Sequence, residues 1–409
     1  MKKKFVCVLM ALAMVFALAA CGQNNDTPSN NNSDTPSNNN SDTPSSNDTP
    51  STDNNSGSET LKIGAVGPLT GGYANYGLSV KGGAEIAVQE INAAGGVNGK
   101  QIELNFQDSQ GDPESATAAY GKLMDWGMEV SMGGVFSGET ASVTAAARDD
   151  DMFLLTPTGS ADGCIDGNDK AFRVCFYDSY QGAAAANYIK DNNLATEVGV
   201  LYESDYDYSV GLYNAFVAQA QEIGLTIKET QTFTTSTATD FSTQINKLVD
   251  SGVKVIFTPI YAEEASTFLT QAKGKFGDDV YFFGADGLDG ILGKVEQDPS
   301  IADNVLMLTP FAADSSDEKV QSFVKAYQDA NGGATPDQFA ADGYDAVYAI
   351  KAAVEAAGST SGEALAKTMT SLTVEGITGT MTWTADGNTQ KPASAILYKG
   401  GVGTLFANN

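Results

Sequence analysis

From residue 60 onward, short runs of β-branched and aromatic residues alternate with longer segments in which apolar residues recur every three or four positions. Runs of the first kind are typical of buried strands, and the periodic segments are typical of amphipathic helices. Val80, Ala84 and Ile91, for instance, fall on one face of a helix. The predicted strands cover residues 61–66, 101–106, 130–135, 152–156, 172–176, 197–202, 225–232, 253–259, 280–284, 304–308, 378–384 and 393–399.

Helical segments follow most of these strands, and Pro113 favours a helix start because its fixed φ suits a first turn. The predicted helices cover residues 80–91, 138–149, 180–192, 208–223, 241–249, 263–275, 320–327 and 340–357, together with one that begins at Pro113. Strands that alternate with helices form parallel sheets with helices on both faces, and about 350 residues are enough for two such sheets. We therefore predict an α/β protein with two doubly wound parallel-sheet lobes.

The first 20 residues have the pattern of an export signal. Three lysines at positions 2–4 precede an apolar run over 5–17, which is shorter than the roughly 20 residues of a membrane-spanning helix. The run leads through two alanines to Cys21, which resembles the lipobox of bacterial lipoproteins. We predict that 1–20 is cleaved as a signal peptide and that Cys21 is acylated. The alternative is an ordinary secretion signal followed by an incidental cysteine.

Residues 21–59 repeat Asp-Thr-Pro-Ser between asparagines and serines and hold no aromatic or β-branched aliphatic side chain to bury. This composition predicts a disordered tether, which as a flexible coil would span about 35 Å. Such a tether suits a lipoprotein on the outer face of a cell membrane beneath a thick wall, so we expect a Gram-positive source. No second apolar run of similar length follows, so we expect a soluble body that reaches the membrane only through its lipid.

The chain carries 51 acidic against 23 basic residues, a formal net charge of −28. So acidic a protein repels nucleic acids and anionic membranes, and we expect neither as a partner. Histidine is absent, which excludes Ser-His-Asp and Cys-His catalysis and nearly all zinc sites. The glycine-rich motifs that bind dinucleotides and phosphates are also missing from the sequence. We therefore expect no enzyme, no cofactor and no metal.

Ligands of doubly wound sheets bind beyond the carboxyl ends of the strands, where helix N-termini present free N–H groups. In the first predicted lobe, Ser137 follows the third strand, and a tight turn with further hydroxyl groups, 156–160, follows the fourth. A glycine-rich loop with Tyr73 and Tyr76 follows the first strand. This half of the predicted cleft therefore presents hydroxyl groups beside a helix N-terminus.

The second predicted lobe presents different groups. Tyr208 lies at the first turn of a helix, and Tyr261 and Asp286 each follow the end of a strand. Hydroxyl groups at a helix N-terminus suit a carboxylate, whereas an aspartate with tyrosines suits an ammonium group. The two halves together predict a zwitterionic guest. Taken singly, Ser137 also fits a plain helix N-cap, Asp286 a turn residue, and the tyrosines aromatics at the edge of a core.

The segments 63–71 (IGAVGPLTG), 82–99 (GGAEIAVQEINAAGGVNG) and 108–112 (DSQGD) look like the opening of the leucine/isoleucine/valine-binding proteins. These are the type I periplasmic binding proteins of branched-chain amino-acid ABC transporters. The segments 172–182 and 284–287 are similar to that family's crossover between lobes and to its second-lobe site. The similarity spans all of the chain from residue 60 to its end.

The resemblance implies two lobes joined by three crossovers, the fold of type I periplasmic binding proteins. The first lobe would comprise 60–178 and 308–385, and the second 179–307 and 386–409. It further implies that the lobes close around a neutral amino acid with a branched or otherwise apolar side chain. A monomer would then deliver this guest to the permease of an ABC importer.

The resemblance also implies a role for individual residues. Those that would hold the guest's α-carboxylate are Ser137, Gly159 and Ser160. Those that would hold its α-ammonium are Asp286 and Tyr208. Those that would surround its side chain are Tyr76, Phe136, Tyr261 and Phe339. Asp286 stands where many members of the family carry Glu, and Tyr76 where some carry Trp, and both differences change the length of the pocket.

Two further pairs of residues bear on the site. The two arginines, Arg148 and Arg173, do not end a predicted strand, so we expect no bidentate arginine clamp on the guest's carboxylate. A second carboxylate on the guest would lack a cation too, which favours a neutral side chain.

Cys164 and Cys175, eleven positions apart, form a possible disulfide beneath the turn 158–160, and two buried thiols are the alternative.

Three other functions stay open at the level of sequence. In the same fold, the chain would be a sensor or binding protein for an amide or another small neutral polar solute, with Asp286 binding a different donor. A secreted enzyme would need a second catalytic carboxylate beside Asp286. A structural adhesin would not need polar groups that converge at strand ends.

Overall fold

A computed structural model describes residues 60–389, 391 and 393–406. The predicted signal peptide, Cys21 and the predicted tether lie outside these residues. The strands of the described part are β1 (Thr60–Gly67), β2 (Gln101–Asp108), β3 (Val130–Ser131), β4 (Leu154–Thr156), β5 (Ala171–Arg173), β6 (Glu197–Glu203), β7 (Thr226–Phe233), β8 (Val255–Thr258), β9 (Tyr281–Gly284), β10 (Val305–Thr309), β11 (Thr373–Glu375), β12 (Thr380–Thr382), β13 (Ser394–Lys399) and β14 (Val402–Leu405).

Helices connect most of the strands. They are α1 (Ala74–Ala93), α2 (Pro113–Trp126), α3 (Ser137–Asp149), α4 (Asp178–Asp191), α5 (Asp207–Ile223), α6 (Ser242–Ser251), α7 (Ala262–Ala272), α8 (Ile291–Lys294), α9 (Glu318–Ala330), α10 (Gln338–Ala357) and α11 (Gly362–Met369). Within the part of the chain that the structure describes, no helix is both long enough and apolar enough to cross a membrane.

The strands form two large sheets. The first has the order β2-β1-β3-β4-β5, and all of its pairings are parallel. The second has the order β14-β13-β10-β9-β8-β6-β7, in which β6 to β10 run parallel and β13 and β14 add an antiparallel edge. A small antiparallel pair joins β11 to β12. The prediction of an α/β protein with two parallel sheets is therefore confirmed.

Helices cover both faces of these sheets, which explains why many strands are continuous apolar runs rather than alternating ones. All four residues of β8 are buried, for example. On one face of the first sheet, Val66 and Leu154 pack with Leu123 of α2 and Val143 of α3. Burial of both faces leaves the ends of the strands as the places where polar side chains are exposed to a guest.

The chain passes between the two sheets three times. It leaves the first sheet after β5 and enters the second with α4 and β6. After β10 it returns to the first sheet, where α10 packs along α1. It crosses again after β12 to reach β13. Each of these passages is a covalent path between the sheets, so each is a place where the lobes can hinge.

Glycines allow α1 and α10 to lie unusually close together. A Cβ on Gly83 would lie 1.8 Å from the carbonyl oxygen of Ala340, and a Cβ on Gly343 would lie 2.3 Å from that of Val80. Neither distance is possible between non-bonded atoms. Gly83 therefore has a packing role, because it lets α10, which follows the second passage of the chain, lie against α1 of the first lobe.

Candidate ligand-binding site

Helix α3 begins just beyond the carboxyl end of β3 and carries Ser137 in its first turn. Ser137 is buried, and its Oγ accepts a hydrogen bond from the N–H of Ala161 at 3.0 Å. The N-cap position belongs to Phe136, whose N–H donates to the Glu139 carboxylate at 3.0 Å. The simpler interpretation of Ser137 as a helix cap is therefore wrong. Its hydroxyl oxygen ties α3 to the turn after β4.

The turn that follows β4 is fixed by threonine hydroxyl groups. Thr156 Oγ1 donates to the carbonyl oxygen of Gly134 at 2.8 Å and accepts from the N–H of Gly159 at 2.9 Å. Thr158 Oγ1 donates to the carbonyl oxygen of Val135 at 2.7 Å. These two hydroxyl groups serve the turn itself, so they are not available to a guest.

Gly159 and Ser160 complete this side of the site. A Cβ on Gly159 would lie 2.4 Å from Oγ1 of Thr140, so only glycine fits at this position. Ser160 is buried, and its hydroxyl group lies near enough to Asp178 to lower the pKa of that carboxyl group. The structure thus brings Ser137, Gly159 and Ser160 together, as the resemblance implied.

The possible disulfide beneath this turn is not formed. Cys164 and Cys175 are both free and buried. The thiol of Cys164 donates to the carbonyl oxygen of Gly159 at 3.2 Å, which directs its sulfur to the turn. Burial raises the pKa of Cys164 to about 12 and that of Cys175 well above its usual value, so both are protonated and poor nucleophiles. The alternative of two buried thiols is the one that the structure adopts.

Asp286 lies directly beyond the carboxyl end of β9 and is the centre of the opposite side of the site. Its Oδ1 accepts from the hydroxyl group of Tyr208 at 2.7 Å and from the N–H of Gly287 at 3.0 Å. Its own N–H donates to Oε1 of Gln181 at 3.1 Å. Burial raises the pKa of Asp286 to about 6, although these hydrogen bonds oppose the rise. The carboxylate is therefore charged at neutral pH and oriented by its neighbours.

Asp178, the first residue of α4, is a site residue that the sequence analysis missed. It is fully buried, and neither of its carboxylate oxygens has a hydrogen-bond partner of good geometry. Burial and then repulsion from Asp286 raise its pKa well above the usual value, and Ser160 and Arg173 lower it. The N–H of Asp178 donates to the carbonyl oxygen of Ser160 at 2.9 Å, and Gln181, one turn later in α4, accepts from the N–H of Asp286, so the start of α4 joins the two sides of the site. A second carboxylate near Asp286 strengthens the case for a cationic group in the guest.

Seven aromatic side chains pack together between these polar groups. They are Tyr73, Tyr76, Phe136, Tyr206, Tyr208, Tyr261 and Phe339. The ring centroids of Tyr76 and Phe339 are 4.8 Å apart. Those of Phe136 and Tyr261 are 4.9 Å apart, and Tyr208 stacks on Tyr261 at 4.6 Å. The four residues expected around the guest's side chain are thus neighbours, and Tyr73 and Tyr206 extend the cluster.

Hydrogen bonds across this aromatic cluster tie the first lobe to the second. The hydroxyl group of Tyr76 accepts from the N–H of Ala262 at 2.8 Å and donates to the carbonyl oxygen of Gly287 at 2.6 Å. The hydroxyl group of Tyr73 donates to the Glu264 carboxylate at 2.5 Å. Tyr73 at the end of the loop after β1 and Tyr76 in the first turn of α1 therefore hold the two lobes in a closed arrangement. Among the described residues, no group of three or more carboxylates and thiols is placed to bind a metal ion.

Several buried carboxyl groups have raised pKa values, which links the stability of the protein to pH. Burial raises the pKa of Glu139, Glu203 and Asp342 to about 7 and that of Asp286 to about 6. In an unfolded chain these groups titrate at about 4. Between about pH 4 and pH 7, the folded protein therefore binds more protons than the unfolded chain, so the free energy of unfolding rises as the pH falls.

We expect the midpoint of thermal unfolding to be higher at about pH 6 than at about pH 8, although the chain has no histidine. Each group that gains one proton on folding contributes a slope of about 1.4 kcal/mol per pH unit. Glu139→Gln is the matched control, because glutamine can still accept from the N–H of Phe136 but cannot titrate. Calorimetry of both proteins should give a shallower slope for the variant. Equal slopes, or a wild type that is less stable at the lower pH, would contradict this assignment.

Comparison with known proteins places the chain in a family. A family model described as periplasmic binding protein matches residues 60–399, which is most of the chain. The Leu/Ile/Val-binding protein homolog 3 of Brucella melitensis is 29% identical over 345 residues, which cover 82% of this chain and 90% of that protein. The leucine-, isoleucine-, valine-, threonine- and alanine-binding protein of Pseudomonas aeruginosa is 28% identical over 329 residues, covering 79% and 86%.

Solved structures agree with these relatives. The branched-chain amino-acid transporter substrate-binding protein LivJ of Streptococcus pneumoniae, in complex with isoleucine, is 30% identical, with a TM-score of 0.77 over 84% of this chain and 98% of that one. A periplasmic binding protein type 1 of Bordetella pertussis is 20% identical, with a TM-score of 0.74 over 85% of this chain and 100% of that one. The type I fold that the sequence resemblance implied is thereby confirmed. The chain belongs to the periplasmic binding protein family.

Proposed function

We propose that this protein captures a neutral amino acid with a branched or otherwise apolar side chain outside the cell and delivers it to an ABC importer. The observation that carries the proposal is the arrangement of Asp286 and Tyr208 on one side of an aromatic cluster and of Ser137 and Ser160 on the other. The printed names of relatives support it, since one is a binding protein for leucine, isoleucine and valine among others, and a solved neighbour contains isoleucine.

In this proposal the guest's ammonium group lies against Asp286, with Asp178 as a second carboxylate nearby. Asp286 is buried and charged at neutral pH, so an ammonium group that replaces water there meets a low dielectric in which the charge pair is strong. The guest's carboxylate lies at the start of α3, where Ser137 donates its hydroxyl proton and the helix N-terminus favours negative charge. The guest's side chain takes its place among the aromatic rings of Tyr76 and its neighbours.

Closure of the two lobes is the step that retains the guest in the site. A guest favours the closed state only by the contacts that it makes there and not in the open state. Asp286 lies beyond the second sheet and Ser137 beyond the first, so a zwitterion that spans both makes its full set of contacts only when the lobes meet. Tyr76 adds two bonds between the lobes in the same state. We propose binding and release as the whole of the protein's task, without a chemical step.

A thermal-shift screen tests the proposed function. The purified protein is heated alone and with each of the twenty amino acids and a set of simple sugars and amides. Leucine, isoleucine or valine should raise the midpoint of unfolding most, because a ligand that binds only the folded state stabilises it more, the higher its concentration is relative to its dissociation constant. A shift with amides or sugars, and none with any amino acid, would favour the binding of a small neutral polar solute instead.

We also propose that Cys21, which lies outside the described residues, carries a lipid that anchors the protein to the outer face of the membrane. A Gram-positive source and a monomeric state belong to the same proposal. Cells grown with a labelled fatty acid should label the wild-type protein and leave Cys21→Ala unlabelled. Equal labelling of both proteins would mean that the chain is not a lipoprotein.

A further inference from the structure

Arg173 is the last residue of β5 and is completely buried. The expectation that neither arginine ends a strand is therefore wrong, because β5 stops three residues earlier than the predicted strand. Buried arginines are usually paired with a carboxylate or with several acceptors that satisfy the five donors of the guanidinium group. In Arg173 the acceptors of Nη1 and Nη2 are backbone atoms of the turn after β4, whereas Nε has no hydrogen-bond partner.

Four consecutive carbonyl oxygens accept hydrogen bonds from this one guanidinium group. Nη1 lies 3.1 Å from the oxygen of Gly159, 2.7 Å from that of Ser160 and 3.0 Å from that of Ala161. Nη2 lies 3.0 Å from the carbonyl oxygen of Asp162. The whole segment 159–162 is therefore held with its carbonyl groups toward one buried positive charge.

The direction of these carbonyl groups fixes the direction of the amide groups. In a trans peptide the N–H of one residue points opposite to the carbonyl group of the residue before it. The N–H groups of Ser160, Ala161 and Asp162 therefore point away from Arg173. The N–H of Ala161 confirms this geometry, since it donates to Oγ of Ser137, the hydroxyl group proposed to meet the guest's carboxylate.

The backbone of Arg173 is fixed as well. The backbone N–H of Arg173 donates to the carbonyl oxygen of Gly387 at 3.0 Å, and its carbonyl oxygen accepts from the indole N–H of Trp383 at 2.8 Å. The thiol of Cys164 donates to the same Gly159 oxygen as the guanidinium group does. Arg173 is thus held by the segment that leads into the third passage between the sheets.

We propose that Arg173 is a positioning residue for the guest's carboxylate, and that it acts through the segment 159–162 rather than by direct contact. By holding four carbonyl groups behind the turn, it presents the amide N–H groups to the carboxylate and adds a positive charge at the far end of each peptide dipole. The inference rests on the proposed binding of an amino acid. It explains how the site can bind a carboxylate without an arginine side chain against it.

The test compares leucine with leucinamide, which keeps the ammonium group and the side chain but has no negative charge. Both are titrated by calorimetry into the wild-type chain and into Arg173→Gln, Arg173→Lys and Trp383→Phe. Arg173→Gln should weaken leucine binding by about tenfold to a hundredfold, the loss expected for a hydrogen bond to a charged group, and should change leucinamide binding by less than about threefold. Arg173→Lys, which keeps the charge, should lie between wild type and Arg173→Gln.

Trp383→Phe is the matched control, because it removes a bond to the backbone of Arg173 but leaves the guanidinium group. It should preserve the wild-type ratio of leucine to leucinamide affinity. If the Arg173 variants weaken both ligands by the same factor, the residue is merely structural and the inference is overturned. A wild type that binds neither ligand would instead contradict the proposed function itself.

A measurement on the wild type alone covers the case in which the variants do not fold. In nuclear magnetic resonance spectra, the amide protons of Ser160 and Asp162 should shift downfield with leucine, because their N–H groups donate to its carboxylate. The shifts with leucinamide should be much smaller. Amide protons that respond equally to both ligands, or to neither while leucine binds, would overturn the inference.

Discussion

Asp286→Ala should weaken the binding of leucine by roughly 30-fold to several thousand-fold. Asp286 is buried and held by Tyr208 and by the N–H of Gly287, so it cannot be replaced by water without opening the site. Its removal leaves the guest's ammonium group without its charged partner in a closed cleft. Truncating one member of such a desolvated charge pair typically costs about 2–5 kcal/mol, and about 1.4 kcal/mol corresponds to a tenfold change in affinity.

Two variants serve as controls for this result. Asp286→Asn keeps the volume and the bond from Tyr208 but not the charge, so it should lose nearly as much affinity as the alanine variant. Ser137→Ala removes one hydroxyl group and spares the N-terminus of α3, so its loss should be smaller, about 1.5–3 kcal/mol. Calorimetric titration gives all the affinities. If Asp286→Ala binds leucine within about threefold of wild type, the assignment of the ammonium site is wrong.

Lys391→Met should lower the free energy of unfolding by about 3–5 kcal/mol. Nζ of Lys391 lies 3.0 Å from Oδ1 of Asp342, and both side chains are essentially inaccessible, at 0% and 1% exposure. Nζ also donates to the hydroxyl group of Thr378. Methionine fills a similar volume but leaves the Asp342 carboxyl group buried without its cation. Chemical denaturation of both proteins measures the difference.

The double variant Lys391→Met/Asp342→Asn separates charge from packing. Replacing both members of a buried pair by neutral groups of similar volume is often close to neutral for stability. The double variant should therefore recover much of the stability that Lys391→Met loses. If the double variant is as unstable as the sum of its parts, the pair contributes little and the loss comes from packing around Thr378.

Much of the fold follows from local patterns in the sequence. The predicted helix 208–223 and the observed α5 (Asp207–Ile223) differ by only one residue. Their common end at Ile223 could be predicted because Gly224 adopts the left-handed conformation that favours glycine. Helix α11 was missed even though Ser361 caps it, accepting from the N–H of Ala364, and Leu365 and Met369 are buried one turn apart. Eight residues are too few for a clear period, so a short helix is easily read as a loop.

The site residues likewise comprise some that the sequence identifies and some that it does not. Residues directly after strands, such as Ser137 and Asp286, could be identified because the topology brings strand ends together. Asp178 could not, because in the sequence it is indistinguishable from an ordinary acidic residue at a helix start. Its burial depends on the packing of α4 against α5, where a Cβ on Gly211 would lie 3.1 Å from its Oδ2. Long-range packing of this kind leaves no periodic signal.

Arg173 shows a second limit on what the sequence can predict. The sequence predicts that no arginine clamps the guest directly, but the role of Arg173 behind the turn depends on where β5 ends and on which way four carbonyl groups point. The cysteine pair shows a third limit. A spacing of eleven residues is compatible with a disulfide, whereas the direction of the Cys164 thiol toward Gly159 is set by the turn itself.

The central claim is that the two lobes recognise a zwitterion, the ammonium group through the second lobe and the carboxylate through the first. One calorimetric comparison tests it directly: leucine against isoamylamine, which lacks the carboxylate, and against 4-methylpentanoate, which lacks the ammonium group. Leucine should bind with a dissociation constant of about 1 μM or lower, and each analogue should bind at least about a hundredfold more weakly. Binding of either analogue within about threefold of leucine would contradict the account.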